Sequence, residues 1–149
     1  MSLVHVKTRI EAPIEKVFET VMDPQRLGQW VTIHRSLKDV SEEPLRKGST
    51  MEQVMHMRGV SFHVNWTLVD LNPPSHAEWE GRGPAHSRAR IRYELTPDGD
   101  GATEFEYFND FSPPGGHLGN MASRLIIGAA SEREANASLQ RLKELLECD

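Results

Sequence analysis

The sequence predicts an α+β domain: a seven-stranded antiparallel sheet, two short helices between its first and second strands, and a long helix at the C-terminal end. Three observations carry that prediction. Apolar residues alternate with period two near the N-terminus and again from residue 31 to 111. They recur with period 3.6 over residues 14–30 and again after Pro113-Pro114-Gly115-Gly116. No helix of length interrupts the later strands, so neighbours pair antiparallel through hairpins rather than parallel through crossovers. The 149 residues suit a single domain spanning 1–149.

The first strand is read from Val4, Val6, Thr8 and Ile10 on one face and His5, Lys7 and Arg9 on the other. Pro13 suits the first turn of a helix, and Ile14, Val17, Phe18, Val21 and Met22 mark its apolar stripe. Asp23 caps a second short helix with Pro24 at its first position, leaving Leu27 and Trp30 as the apolar marks. Glycine and proline then punctuate about six strands. If Arg58-Gly59 is a two-residue loop, Met57 pairs with Val60, Met55 with Phe62, Gln53 with Val64 and Met51 with Trp66, all facing one way. Ala77, Trp79 and Gly81 continue that face, as do Ala89, Ile91, Tyr93 and Leu95, then Thr103, Phe105, Tyr107, Asn109 and Phe111. On the opposite face a loop of residues 96–100 would pair Arg92 with Glu104 and Arg90 with Glu106. A stripe from Leu118 through Met121, Leu125, Ile126, Ala129, Ala135, Leu139 and Leu142 to Leu146 predicts a closing helix of some 29 residues. At 1.5 Å per residue that is roughly 43 Å, enough to cross a curved sheet. Gly128 within it is expected to give a small bend or close packing rather than a break.

Several function classes are disfavoured. A net charge of −5 argues against an electrostatic grip on nucleic acid. No apolar run approaches a membrane span, and the first residues lack a signal-peptide pattern, so a cytoplasmic location is expected. The single cysteine, Cys148, permits neither an internal disulfide nor a cysteine zinc cage and reads as an inert thiol. Of the seven histidines, His5, His56 and His63 point outward on this register and His76 falls in a loop. His34, His86 and His117 are placed to approach a cavity mouth, and no two histidines have the helical i, i+4 spacing of a zinc motif, so no metal is expected. Gly81-Arg82-Gly83-Pro84 is too short for a nucleotide fingerprint, and Pro113-Pro114-Gly115-Gly116 lacks a Walker lysine.

The words Ile10-Glu11-Ala12-Pro13-Ile14-Glu15-Lys16-Val17-Phe18, Asp23-Pro24-Gln25-Arg26-Leu27-Gly28-Gln29-Trp30 and Ser138-Leu139-Gln140-Arg141-Leu142-Lys143-Glu144-Leu145-Leu146-Glu147 resemble the SRPBCC superfamily. Within it the chain is most similar to the polyketide cyclase/dehydrase and lipid-transport branch, related to START domains and the birch-pollen allergen. The resemblance implies a helix-grip fold: a seven-stranded antiparallel sheet wrapped around the long last helix, a deep ligand cavity between them, and the two short helices near its mouth. It names no substrate, because fold analogy does not, and it implies no cofactor.

Seven of the ten aromatic residues (Phe62, Trp66, Trp79, Tyr93, Phe105, Tyr107 and Phe111) fall on the inward sheet face. That row suits either a filled core or a pocket wall. Methionines on the same face suit an adaptable lining, and Gln53, Tyr93, Tyr107 and Asn109 bring polar atoms that need partners. The expected ligand-binding residues are Met51, Gln53, Met55, Phe62, Val64, Trp66, Trp79, Ile91, Tyr93, Phe105, Tyr107 and Asn109, with Met121 and Leu125 from the helix. The expected partner is a small hydrophobic molecule, aromatic or lipid-like, carrying one or two oxygens, held by a carrier or sensor. The first alternative, which the resemblance suggests, is a polyketide cyclase or dehydratase with Tyr93, Tyr107 and Asn109 as candidate proton-moving residues. The second is a protein-interaction module with a filled core.

Overall fold

The computed structural model describes residues 2–112 and 120–148, with the backbone alone described for residues 2, 120–123 and 125. Seven strands, β1 (Ser2–Ile10), β2 (His34–Lys38), β3 (Thr50–Met57), β4 (Val60–Asn72), β5 (His76–Arg82), β6 (Arg88–Pro97) and β7 (Thr103–Ser112), form one antiparallel sheet in the order β1-β7-β6-β5-β4-β3-β2. The first two strands lie at opposite edges. The connection between them carries α1 (Ile14–Met22), a 3₁₀ turn at Pro24–Arg26 and α2 (Leu27–Trp30). The chain closes with α3 (Asn120–Ala129) and α4 (Glu132–Glu147). This is the helix-grip architecture.

The β3–β4 hairpin has the expected register, Met57 opposite Val60 and Met51 opposite Trp66. Arg58 and Gly59 both take positive φ, 50° and 83°, which a two-residue hairpin loop with matching twist requires. The β6–β7 register differs from expectation. Leu95 faces Phe105 and Pro97 faces Thr103, so the loop is residues 98–102, closed by Asp98 N–H donating to the Ala102 carbonyl. Gly99 and Gly101 supply the positive φ that this wider turn needs. Arg92 therefore lies opposite Phe108, its guanidinium 4.0 Å from the ring centroid, and Arg90 reaches back to Glu78 and Glu80 on β5. The displacement is an even number of residues, so every side chain keeps its face. It also sets Glu94 opposite Glu106, and each carboxylate is bridged to a histidine: His5 Nε2 lies 2.8 Å from Glu106 and His76 Nδ1 2.7 Å from Glu94. His76, expected in a loop, is the first residue of β5 because its pairing with Glu94 and a contact of its Nε2 with Asp70 (3.1 Å) extend the strand to it.

α1 buries Val17, Phe18 and Val21, and the Asp23 carboxylate accepts from Gln25 N–H to start the next turn. The closing helix is divided at Ala130-Ser131 rather than bent at Gly128. Ser131 is extended (ψ 160°), and its hydroxyl accepts from Glu134 N–H as the N-cap of α4. Ser131-Glu132-Arg133-Glu134 has the serine and glutamate spacing of a capping box, a local start signal that outweighs the continuity of the apolar stripe. Leu139, Leu142 and Leu146 fix α4 against the sheet, and full burial of such a side chain contributes about 1.5–3 kcal/mol. Its far end is tied to the end of β1: Lys143 donates to the Arg9 carbonyl (2.5 Å), and Glu11 N–H donates to Glu147 (2.9 Å). Leu118, Gly119, His117 and the Pro113–Gly116 loop lie outside the described residues, as do the side chains of Met121 and Leu125.

Candidate functional site

Between the concave face of the sheet and the helices lies an open recess of about 130 Å³. Met51, Gln53, Met55, Phe62, Val64, Trp66, Trp79, Ile91, Tyr93, Tyr107 and Asn109 all line it, as the alternation of the strands expects. Phe105 does not. It is fully buried beneath Trp30 and Tyr93, with ring centroids 6.5 and 5.4 Å away, and belongs to the packed core. His34 and His86 are not among the lining residues either; His86 is exposed on the turn after Pro84. The opposite wall comes from Val21, Leu27, Trp30 and Val31 around α1 and α2, and from Ile126, Ala135 and Leu139.

A chain of hydrogen bonds fixes the β3–β4 side. Trp66 Nε1–H donates to Gln53 Oε1 at 2.9 Å, so the amide nitrogen of Gln53 faces His34 Nδ1, also at 2.9 Å. An indole N–H only donates; hence His34 Nδ1 must accept, and its imidazole is neutral with the proton on Nε2. Burial lowers the His34 pKa from its ordinary value and favours the same state. Gln53 is thus satisfied by its neighbours. Trp66 can lie flat only because residue 81 on the paired strand is glycine: a Cβ there would sit 2.5 Å from the indole ring.

Tyr93 and Tyr107 stand side by side, ring centroids 6.2 Å apart, with Trp30 6.3 Å from Tyr93. Burial pushes both phenols above the ordinary tyrosine range; the Asn109 amide beside Tyr107 opposes that only partly. These groups stay protonated at neutral pH and act as hydrogen-bond donors, not as bases. Two side-chain atoms of lining residues are buried without a hydrogen-bond partner: Asn109 Oδ1 on the sheet side and Trp30 Nε1 on the helical side. The residues themselves are only 4% and 2% exposed. Unpaired buried polar atoms are costly and uncommon in native structures.

Sequence reasoning missed the helical and loop side. Trp30 was visible only as an apolar mark. Thr32, Ser138 and Glu134 also line the recess and form a polar clasp: the Thr32 hydroxyl donates to Glu134 at 2.7 Å, and Thr32 N–H donates to Ser138 Oγ at 3.2 Å. No local pattern pairs residues a hundred positions apart. Glu134 and Arg88 are the charged side chains among the described lining residues, and Arg88 is exposed.

A curved sheet closed by a C-terminal helix over an apolar recess defines the START-like, SRPBCC class of domain. The chain belongs to the polyketide cyclase/dehydrase and lipid transport family, whose model matches residues 1–147. It is 25% identical over 136 residues to Toxin Rv0910 of Mycobacterium tuberculosis, covering 88% of each chain. Among solved structures, Zhui aromatase/cyclase from Streptomyces sp. R1128 superposes with a TM-score of 0.81 at 16% identity, covering 98% of this chain and 93% of that one. A START superfamily protein from Mycobacterium smegmatis gives 0.74 at 15% identity, covering 97% and 98%. At such identities the two structures speak for the fold alone. Among the described residues no helix is long and apolar enough to cross a membrane.

Proposed function

We propose that this protein binds a small, largely apolar ligand in the recess, as a carrier or sensor, and does so in the cytoplasm. The carrying observation is the lining: aromatic, methionine and aliphatic side chains converge on unfilled space while only a few polar groups face it. The volume of about 130 Å³ is close to that of apolar cavities of about 150 Å³ that take up benzene, so one aromatic ring fits within and the rest of a ligand extends toward the mouth. The same unfilled space weighs against a plugged interaction module. Tryptophan fluorescence titrated with flavonoid, polyketide-like and fatty-acid ligands tests the reading. Trp66 and Trp79 on the wall should report a saturable change for at least one class; no change with any of them would refute it.

A cyclase or dehydratase using the same recess is the second reading, favoured by the Glu134 carboxylate at the lining beside Thr32 and Ser138. In that reading Tyr93, Tyr107 and Asn109 orient a substrate carbonyl by hydrogen bonding. Turnover of a poly-β-keto mimic that survives in a Tyr93→Phe, Tyr107→Phe double variant would remove the tyrosines from it.

A further inference from the structure

Glu134 brings a negative charge to a recess whose walls are otherwise mainly aromatic and aliphatic. It stands on the face of α4 that also carries Ala135, Ser138 and Leu139, all of them lining residues, while Glu132, Arg133, Asn136 and Gln140 are exposed. The residue is half-buried, and one of its oxygens is held: Oε2 accepts from the Thr32 hydroxyl at 2.7 Å, and Thr32 N–H in turn donates to Ser138 Oγ at 3.2 Å. Capping does not occupy the carboxylate, because the Ser131 N–H that a closed capping box would offer it donates instead to the Gly128 carbonyl at 3.1 Å. Oε1 accepts no hydrogen bond. It is not among the buried unpaired side-chain atoms of the described residues, which belong to Trp30, Arg92 and Asn109, so it is reached by solvent and open to a ligand. Among the described residues no lysine, arginine or histidine pairs with it, and Arg88, the other charged lining residue, is exposed at the start of β6. A carboxylate oxygen only accepts, so the free position calls for a donor. An ammonium answers it best, through a charge-assisted bond, and the indole and phenol faces of Trp30, Trp79 and Tyr93 in the same recess also attract a cation. A ligand carboxylate would meet like charge.

We propose that the recess selects ligands carrying a protonated amine on an apolar body, with Glu134 Oε1 as the partner of the ammonium. This rests on the binding reading above and specifies the polar group of the ligand. Three probes of one shape separate the two: 2-naphthylmethylamine, 2-naphthylmethanol and 2-naphthoate, measured by equilibrium dialysis against the intact chain at pH 7.5, where the amine is protonated. The amine should bind roughly fivefold tighter than the alcohol, the upper end of what a solvent-reached ion pair supplies, and the carboxylate should bind weakest. Glu134→Gln keeps an oxygen for the Thr32 hydroxyl but loses the charge, and should bring the amine down to the level of the alcohol. Glu144→Gln, exposed further along α4 and away from the recess, removes the same net charge and should leave the preference in place. An amine no tighter than the alcohol, a preference that survives Glu134→Gln or is lost equally in Glu144→Gln, or naphthoate as the tightest probe, which would point to Arg88, would each overturn the selectivity while leaving the binding reading intact. Absence of binding by all three would overturn both. The order of the probes on the unmodified chain decides the proposal even if Glu134→Gln fails to fold.

Discussion

Gly81→Ala places one methyl group where the structure has no room for it. The added Cβ would approach three atoms of the Trp66 six-membered ring at 2.5, 2.6 and 2.9 Å, and Trp66 is 4% exposed, so the ring cannot swing freely aside. Overpacking of this kind costs about 1–3 kcal/mol. Displacing the indole also strains or breaks its bond to Gln53, and a buried hydrogen bond is worth about 0.5–1.5 kcal/mol net. Together these give a loss of about 2–4 kcal/mol. For a domain of this size about 3 kcal/mol lowers the melting temperature by roughly 6–12 °C. Urea unfolding with linear extrapolation measures the difference, and a Trp66→Leu background supplies the control. With the large ring gone the same alanine should cost under about 1 kcal/mol, so the two changes couple strongly. An alanine cost below about 1 kcal/mol with Trp66 present, or an equal cost in both backgrounds, would refute the claim that glycine is there for the indole.

Two further expectations concern the chain's own stability. Burial holds the His34 pKa below its ordinary 6.5, so between that lowered value and 6.5 the unfolded chain binds more protons than the folded one. Stability from this group is therefore full above 6.5 and is lost as pH falls through the window. His34→Gln should flatten part of the decline in urea midpoint between pH 7.5 and 5; identical slopes for variant and parent would contradict the neutral tautomer assigned here. Ser131→Ala removes the N-cap of α4 and should cost about 1 kcal/mol, with Ser131→Asp keeping most of it. A change under about 0.3 kcal/mol would mean that packing, not the cap, sets where α4 begins.

Most of the sheet was legible because side-chain alternation is local. Once Met51, Phe62 and Trp79 are assigned inward, the rest of their strands follow. The β6–β7 register was misread because pairing arginines with glutamates is satisfied equally well by β5, and the two-glycine loop accepts more than one closure. Parity protected the site: Tyr93, Tyr107 and Asn109 reach the recess under either register, while Phe105 is packed beneath Tyr93 and Trp30, the latter reaching it from α2. That contact joins residues 75 positions apart in the chain and leaves no periodic trace. The same holds for the Thr32 clasp on Glu134 and Ser138. By contrast the start of α4 was written locally, in Ser131 and Glu134, beneath an apolar stripe that continues through it.

Two jobs are spread along the closing helices. The C-terminal part of α4 holds the sheet, through Leu142, Leu146 and the ties to Arg9 and Glu11, whereas Ala129, Ala130 and Ser131 at the joint and the first turns of α4, with Glu134, Ala135, Ser138 and Leu139, lie on the recess itself. Side chains on the α3 side of the joint can therefore diversify without disturbing the clamp. Such a scaffold lets descendants reshape the recess at little risk to their foldability.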